Sequence, residues 1–213
     1  MKKTWMITAI AIFAVMAFAL PVQALTFNYN YEFSNSDPDP QGPTPWLTAT
    51  FTDVAGGVQL TMSAAGLTGS ECVSDWAFNY LPGVNANGLI NFSFVSGTAW
   101  TSISYGLDFY QADGDGKYDI LFAFPTAGGP NSDRFVSGDT AVFMITGVGS
   151  TVVTANDFNN LSLPAGGHGP YLSAAHVQGI SGGYSGWVAP VGVPVPEPMT
   201  LLLLGLGLVG LAG

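Results

Sequence analysis

The sequence predicts an all-β protein, an antiparallel β-sandwich or jelly roll, flanked by a short apolar helix at each end. Two observations carry this. From residue 25 to about 190, apolar side chains recur at every second position, the spacing that lines one face of a sheet. Between those runs stand clusters of Gly, Pro, Asn and Asp such as "VAGG", "LPGVNANG", "DGDG", "PTAGGPNSD" and "LPAGGHGP", which are turn formers.

Taken in order, "TFNYNYEF" sets Phe27, Tyr29, Tyr31 and Phe33 on one side and Asn28, Asn30 and Glu32 on the other. The segment from Ser34 to Pro45 holds four prolines and reads as a surface loop, because proline cannot donate to a central ladder. "GVQLTMSAA" aligns Val58, Leu60, Met62 and Ala64, and "LINFSFVS" aligns Ile90, Phe92 and Phe94. "YDILFAFP" aligns Tyr118, Ile120, Phe122 and Phe124, and "TAVFMITG" reads as a core strand. About ten short strands at this spacing make one domain of roughly 165 residues, large enough to bury a core.

The two ends have a different composition. Lys2 and Lys3 precede an uncharged run from Trp5 to Leu20, followed by small residues at Val22 and Ala24. That is a signal-peptide pattern over residues 1–24, with cleavage expected after Ala24. A retained signal anchor is the competing reading, but the run is shorter than the roughly 20 residues a spanning helix needs. Residues 25–190 are then the exported passenger. Residues 191–213 begin with a proline-rich stretch and pass into "MTLLLLGLGLVGLAG", fifteen residues that reach about 22 Å as a helix against a hydrocarbon core of about 30 Å.

Composition narrows the partners. The chain has four Lys and Arg residues against fourteen Asp and Glu, and cleavage after Ala24 leaves Lys117 and Arg134 as its basic residues. Nucleic acid and anionic headgroups are poor partners for such a surface. Cys72 is the single cysteine, so no intrachain disulfide forms and the passenger must hold by packing. No His or second Cys lies near it in sequence, and it reads as a buried, inert thiol.

Pro196-Glu197-Pro198 followed by the Leu/Gly-rich tail resembles the PEP-CTERM sorting signal of Gram-negative bacteria. The family's signal closes with a basic cluster, whereas no Arg or Lys follows the apolar stretch within these 213 residues. The resemblance implies that Pro196, Glu197 and Pro198 are the recognition element for an exosortase, an intramembrane cysteine transpeptidase-like enzyme, and are not catalytic. It further implies signal peptidase and exosortase as processing partners, transient insertion of the C-terminal helix in the inner membrane, and delivery to the cell envelope, cell surface or exopolysaccharide matrix. Segments such as "LTGSECVSDWAFNY" and "GPYLSAAHVQGISGGYSGWV" are similar to those of secreted PEP-CTERM passengers, which implies no particular activity.

Within the passenger, "QADGDGKYDI" has the alternating oxygen donors of a calcium loop: Gln111, Asp113 and Asp115 at positions 1, 3 and 5, the Lys117 carbonyl at 7 and Asp119 at 9, with Gly116 at the sharp turn. Gln111 is neutral, and Phe122 stands at position 12 where a bidentate Glu is wanted. The alternative is a hairpin in which the Asp-Gly pairs turn the chain and the acids stay solvated. His168 and His176 are eight residues apart, about 26 Å along a straight strand, too far to share one metal. His176 reads as a hydrogen-bonded core residue. "GISGG" places Ser181 in a Gly-x-Ser-x-Gly pattern, but such an elbow needs a following helix, and "GGYSGW" is not one. Trp46, Trp76, Trp100 and Trp187 are mostly core by their bulk; an exposed one would stack on sugar rings. The expectation is a non-enzymatic structural, adhesive or glycan-contacting surface protein. A matrix polysaccharide hydrolase or lyase and a Ca²⁺-stabilised interaction module are the alternatives.

Overall fold

The computed structural model describes residues 23–35, 38–127 and 134–191. Its strands are β1 (Ala24–Glu32), β2 (Leu47–Val54), β3 (Gly57–Ser63), β4 (Cys72–Phe78), β5 (Ile90–Gly97), β6 (Ser102–Ala112), β7 (Asp115–Ala123), β8 (Phe135–Val136), β9 (Thr140–Gly147), β10 (Ser173–Ile180) and β11 (Tyr184–Pro190), with one 3-10 turn at Ala155–Phe158. Every pairing is antiparallel. Ten strands follow a single path, β5-β9-β3-β2-β1-β11-β10-β4-β7-β6, and β8 pairs with β4 beside it.

This one sheet folds over on itself into a nearly closed barrel, or equally a sandwich of two layers joined by the β1–β11 ladder. Rings from the two halves meet in the middle: Phe51 of β2 against Phe78 of β4 at 5.2 Å, and Phe143 of β9 against Phe122 of β7 at 4.9 Å. No ladder joins β5 to β6. Phe92 and Tyr105 face each other across that gap at 5.6 Å. Among the described residues no helix is long and apolar enough to cross a membrane. Both expected terminal helices, and with them Pro196, Glu197 and Pro198, lie outside the described residues. Ala24, the expected last residue of the signal peptide, opens β1 opposite Thr52, and the adjacent Leu25 is a core side chain.

The period-two reading holds where strands are regular. Val58, Leu60, Met62 and Ala64 are all in the core, as are Ala141, Phe143 and Ile145. It fails where ladders slip. In β1, Leu25, Phe27 and Tyr29 point into the core, but Tyr31 is exposed and Phe33 joins a second, outer cluster. The β1–β11 register shifts between Tyr29 and Tyr31, and an extra residue in one strand re-aims the side chains beyond it. Tyr118 likewise parts from Ile120, Phe122 and Phe124 and packs in the outer cluster, beside an irregularity in the β6–β7 ladder. That outer cluster, built on Ala77, Ala174, Trp187 and Ala189, covers the far face of β4, β10 and β11, so these strands are buried on both sides.

A polar chain crosses the core. The Trp76 indole N–H donates to the Tyr29 hydroxyl, and Ser173 Oγ donates to the Ala77 carbonyl at 2.6 Å. The contact between Tyr29 and Ser173 must then run from the Tyr29 O–H to Ser173 Oγ, since the serine proton is already committed. Burial pushes the Tyr29 phenol far above its ordinary range, so it stays a donor. Tyr29→Phe keeps the ring packing and strands the Trp76 N–H. We expect a loss of about 1–3 kcal/mol in urea unfolding, and a Trp76→Phe background should recover most of it.

Candidate functional site

Two polar constellations stand out, and both involve histidines. The first begins at the β6–β7 hairpin. Asp113 and Gly114 have φ of 52° and 78°, and Ala112 pairs with Asp115 across them. Two successive positive φ values are the signature of a type I′ two-residue turn, for which Asp-Gly is a preferred sequence. The Gln111 amide donates to the Gly114 carbonyl at 3.2 Å, bracing the turn.

Asp115 follows and is buried. Its Oδ1 accepts the backbone N–H groups of Gly167 and His168, the latter at 2.9 Å, and its Oδ2 accepts His168 Nδ1–H at 2.8 Å. The neighbouring backbone is stitched to the same loop by Gly116 N–H to the Ala165 carbonyl at 2.9 Å and by Lys117 N–H to the Leu163 carbonyl at 2.8 Å. Gly166 has φ of 73°, and a Cβ there would lie 1.9 Å from Asp115 Oδ1, so only glycine lets the loop close on the carboxylate. Burial pushes the Asp115 pKa up, but the His168 amide and imidazole and the Gly167 amide outweigh it and leave it below its usual 3.8.

The other oxygens of the candidate calcium loop are engaged elsewhere. The Lys117 carbonyl accepts the Leu163 N–H at 3.1 Å. Asp119 is buried, with Oδ2 on the Tyr80 N–H at 2.9 Å and Oδ1 on the Asp108 N–H at 2.8 Å; burial pushes its pKa up. Among the described residues no three His, Cys, Asp or Glu side chains form a group that could hold a metal ion.

The second constellation lies on the outer face of β4, β10 and β11. The β4–β10 register shifts between His176 and Val177, and on β4 Val73 and Trp76 remain in the core while Ser74 and Asp75 between them both meet His176. Ser74 Oγ donates to Asp75 Oδ2 at 2.8 Å and lies 2.8 Å from His176 Nδ1, with Asp75 Oδ2 3.7 Å from the same nitrogen. A serine-histidine-aspartate relay needs the serine and the carboxylate on opposite ring nitrogens. Here both address Nδ1, an arrangement that fixes the ring and does not relay a proton. His176 in turn stacks on Trp187, with ring centroids 4.8 Å apart and planes at 15°.

Trp187 is held from its backbone. Its N–H donates to Ser34 Oγ at 3.0 Å, and its carbonyl accepts the Phe33 N–H at 2.9 Å. Tyr110 packs against it at 6.2 Å. The hairpin between β10 and β11 turns through Ser181, Gly182 and Gly183, with Gly183 N–H on the Ile180 carbonyl at 2.9 Å. Ser181 therefore sits in a strand-turn-strand, without the helix an elbow requires. The Tyr184 ring lies so close over this turn that a Cβ on Gly182 would meet it at 2.8 Å, yet Tyr184 is 54% exposed.

These residues enclose an open pocket of about 420 Å³, within the range of small-ligand sites. His176, Trp187 and Tyr184 give it aromatic walls. Ser34, Asn35, Ser185 and Asp113 give it polar groups. Asn35 and Asp113 both have positive φ, Asp113 as the first central residue of the type I′ turn.

His176 was legible as a hydrogen-bonded residue, but its place in a pocket was not, because that follows from the bulge in β4. Cys72 is buried as expected, with Sγ 3.8 Å from Arg134 Nη1, and burial pushes its thiol pKa up. A second cavity of about 400 Å³ lies between Asp53, Gly57, Gly147 and Val152; it has no aromatic wall.

The Asp115 clasp has a definite pH signature. Its folded pKa is depressed, so the unfolded chain binds more protons across the carboxylate range; the stabilisation is present above 3.8 and is lost as pH falls through the lower folded value. Asp119 is shifted upward and opposes it. Asp115→Ala should cost about 2–3 kcal/mol in urea unfolding at about pH 7, and the cost should shrink progressively as pH falls below 3.8; a cost that does not change with pH would remove the clasp. No protein-family model, curated protein or solved structure matches the chain.

Proposed function

We propose that this is an exported, non-enzymatic glycan-contacting protein of the bacterial cell surface or exopolysaccharide matrix. The observation that carries the reading is the outer pocket. The exposed Tyr184 ring stands beside the Trp187–His176 stack, and sugars bind such surfaces by laying a C–H face on an open ring while their hydroxyls meet small polar side chains. Ser34, Asn35, Asp113 and Ser185 supply those groups. The shared use of one imidazole nitrogen by Ser74 and Asp75 supports binding without turnover.

Delivery follows from the ends of the sequence. The passenger is addressed by the signal peptide, held at the inner membrane by the C-terminal apolar segment, and processed by an exosortase at Pro196-Glu197-Pro198. Nothing in the passenger's acidic surface favours nucleic acid or anionic lipid.

Two measurements test this. On a glycan array followed by titration calorimetry, the full chain should bind an oligosaccharide, and Trp187→Ala or Tyr184→Ala should weaken it by about tenfold or more, roughly 1–3 kcal/mol, with no release of reducing or unsaturated ends. Released ends that depend on His176 or Asp75 would replace this reading with a hydrolase or lyase. Mass spectrometry of the protein from its native cells should find an N-terminus at Leu25 and a C-terminus near Pro198; a product with both apolar ends intact would rule out the sorting route.

A further inference from the structure

The charge around the pocket narrows its ligand, given the glycan reading above. Among the described residues Asp113 is the one carboxylate lining it, and no Lys or Arg does. Lys117 and Arg134 are the only Lys and Arg among the described residues. Negative potential also reaches the aromatic wall from behind. Asp75 lies 3.7 Å from the His176 ring that stacks on Trp187, and burial together with the Asp75 carboxylate pushes the neighbouring Tyr110 phenol well above its ordinary pKa.

Three classes of sugar meet this pocket differently. A uronic-acid or sulfated polymer would bring its anion against Asp113 and the ring faces, which are themselves negative, with no Lys or Arg among the described lining residues to offset the repulsion. A neutral sugar gains stacking alone. A protonated amino sugar gains stacking, a carboxylate contact and a cation–π contact together. Asp113 is held in the type I′ turn and Tyr184 on Gly182, so little ordering is required when the ligand arrives.

We infer that the pocket selects protonated amino sugars, the ammonium seated between the Asp113 carboxylate and the exposed ring of Tyr184. The matrix glycan it contacts is then one carrying free amines, such as a partly de-N-acetylated hexosamine polymer.

The test pairs glucosamine oligomers with their N-acetylated counterparts at mildly acidic pH, where the free amines are charged. Titration calorimetry on the full chain should give about tenfold tighter binding for the free amine. Asp113→Asn keeps a preferred residue for this turn and should bring the two affinities within about twofold, the larger loss falling on the free amine. Asp39→Asn, which removes an exposed carboxylate that does not line the pocket, should leave the preference intact. Equal binding of both oligomers, tighter binding of a polyuronate or of oligolysine, or a preference that survives Asp113→Asn would overturn amine selection. Binding of both oligomers without preference leaves the glycan reading standing, whereas binding of no sugar removes both.

Discussion

The structure depends on a slab of aromatic rings that holds one long sheet folded back on itself. With a single cysteine there is no covalent tie, and the two halves of the strand path share only the β1–β11 ladder. What keeps them together is the contact of Phe27, Phe51 and Phe143 on one side with Phe78 and Phe122 on the other. Each such side chain contributes roughly 1.5–3 kcal/mol by burial, and edge-to-face pairs add to it. The Trp76–Tyr29–Ser173 chain threads this slab and aligns β1, β4 and β10, a directional constraint that packing alone lacks.

That foundation frees the opposite face of β4, β10 and β11 for other work. All four pairings around the pocket carry register shifts: β1 with β11, β10 with β11, β10 with β4, and β6 with β7; a fifth, between β5 and β9, lies at the sheet margin. Each breaks the alternation that would have sent successive residues in and out. The bulge in β4 lets Ser74 and Asp75 both reach His176, and the slip in β1 takes Phe33 and Ser34 to the backbone of Trp187. The pocket is a product of irregularity, built where the sheet departs from its own period.

This also decides what could be read in advance. The strands with unbroken alternation, β3 and β9 above all, were legible because every second side chain meets the same core. The Asp113-Gly114 turn was legible because its conformation is favoured locally. Tyr31, Phe33 and Tyr118 were assigned to the wrong face because a bulge leaves no local mark in composition. The Asp115–His168 clasp joins residues 53 apart, and Ser74 and His176 are 102 apart. The doubled glycine at 166 and 167 was the one trace of the clasp in the sequence, and without its carboxylate it read as a turn.

The unjoined margins of the sheet have a mechanical consequence. β5 and β6 each hydrogen-bond on one side only, so peeling either away breaks a single ladder, whereas removing β10 or β11 breaks two. Thermal fraying therefore starts at those outermost strands and is spent there. The strands that carry His176 and Trp187 lie inside the path with a ladder on each side, and keep their shape while the borders breathe.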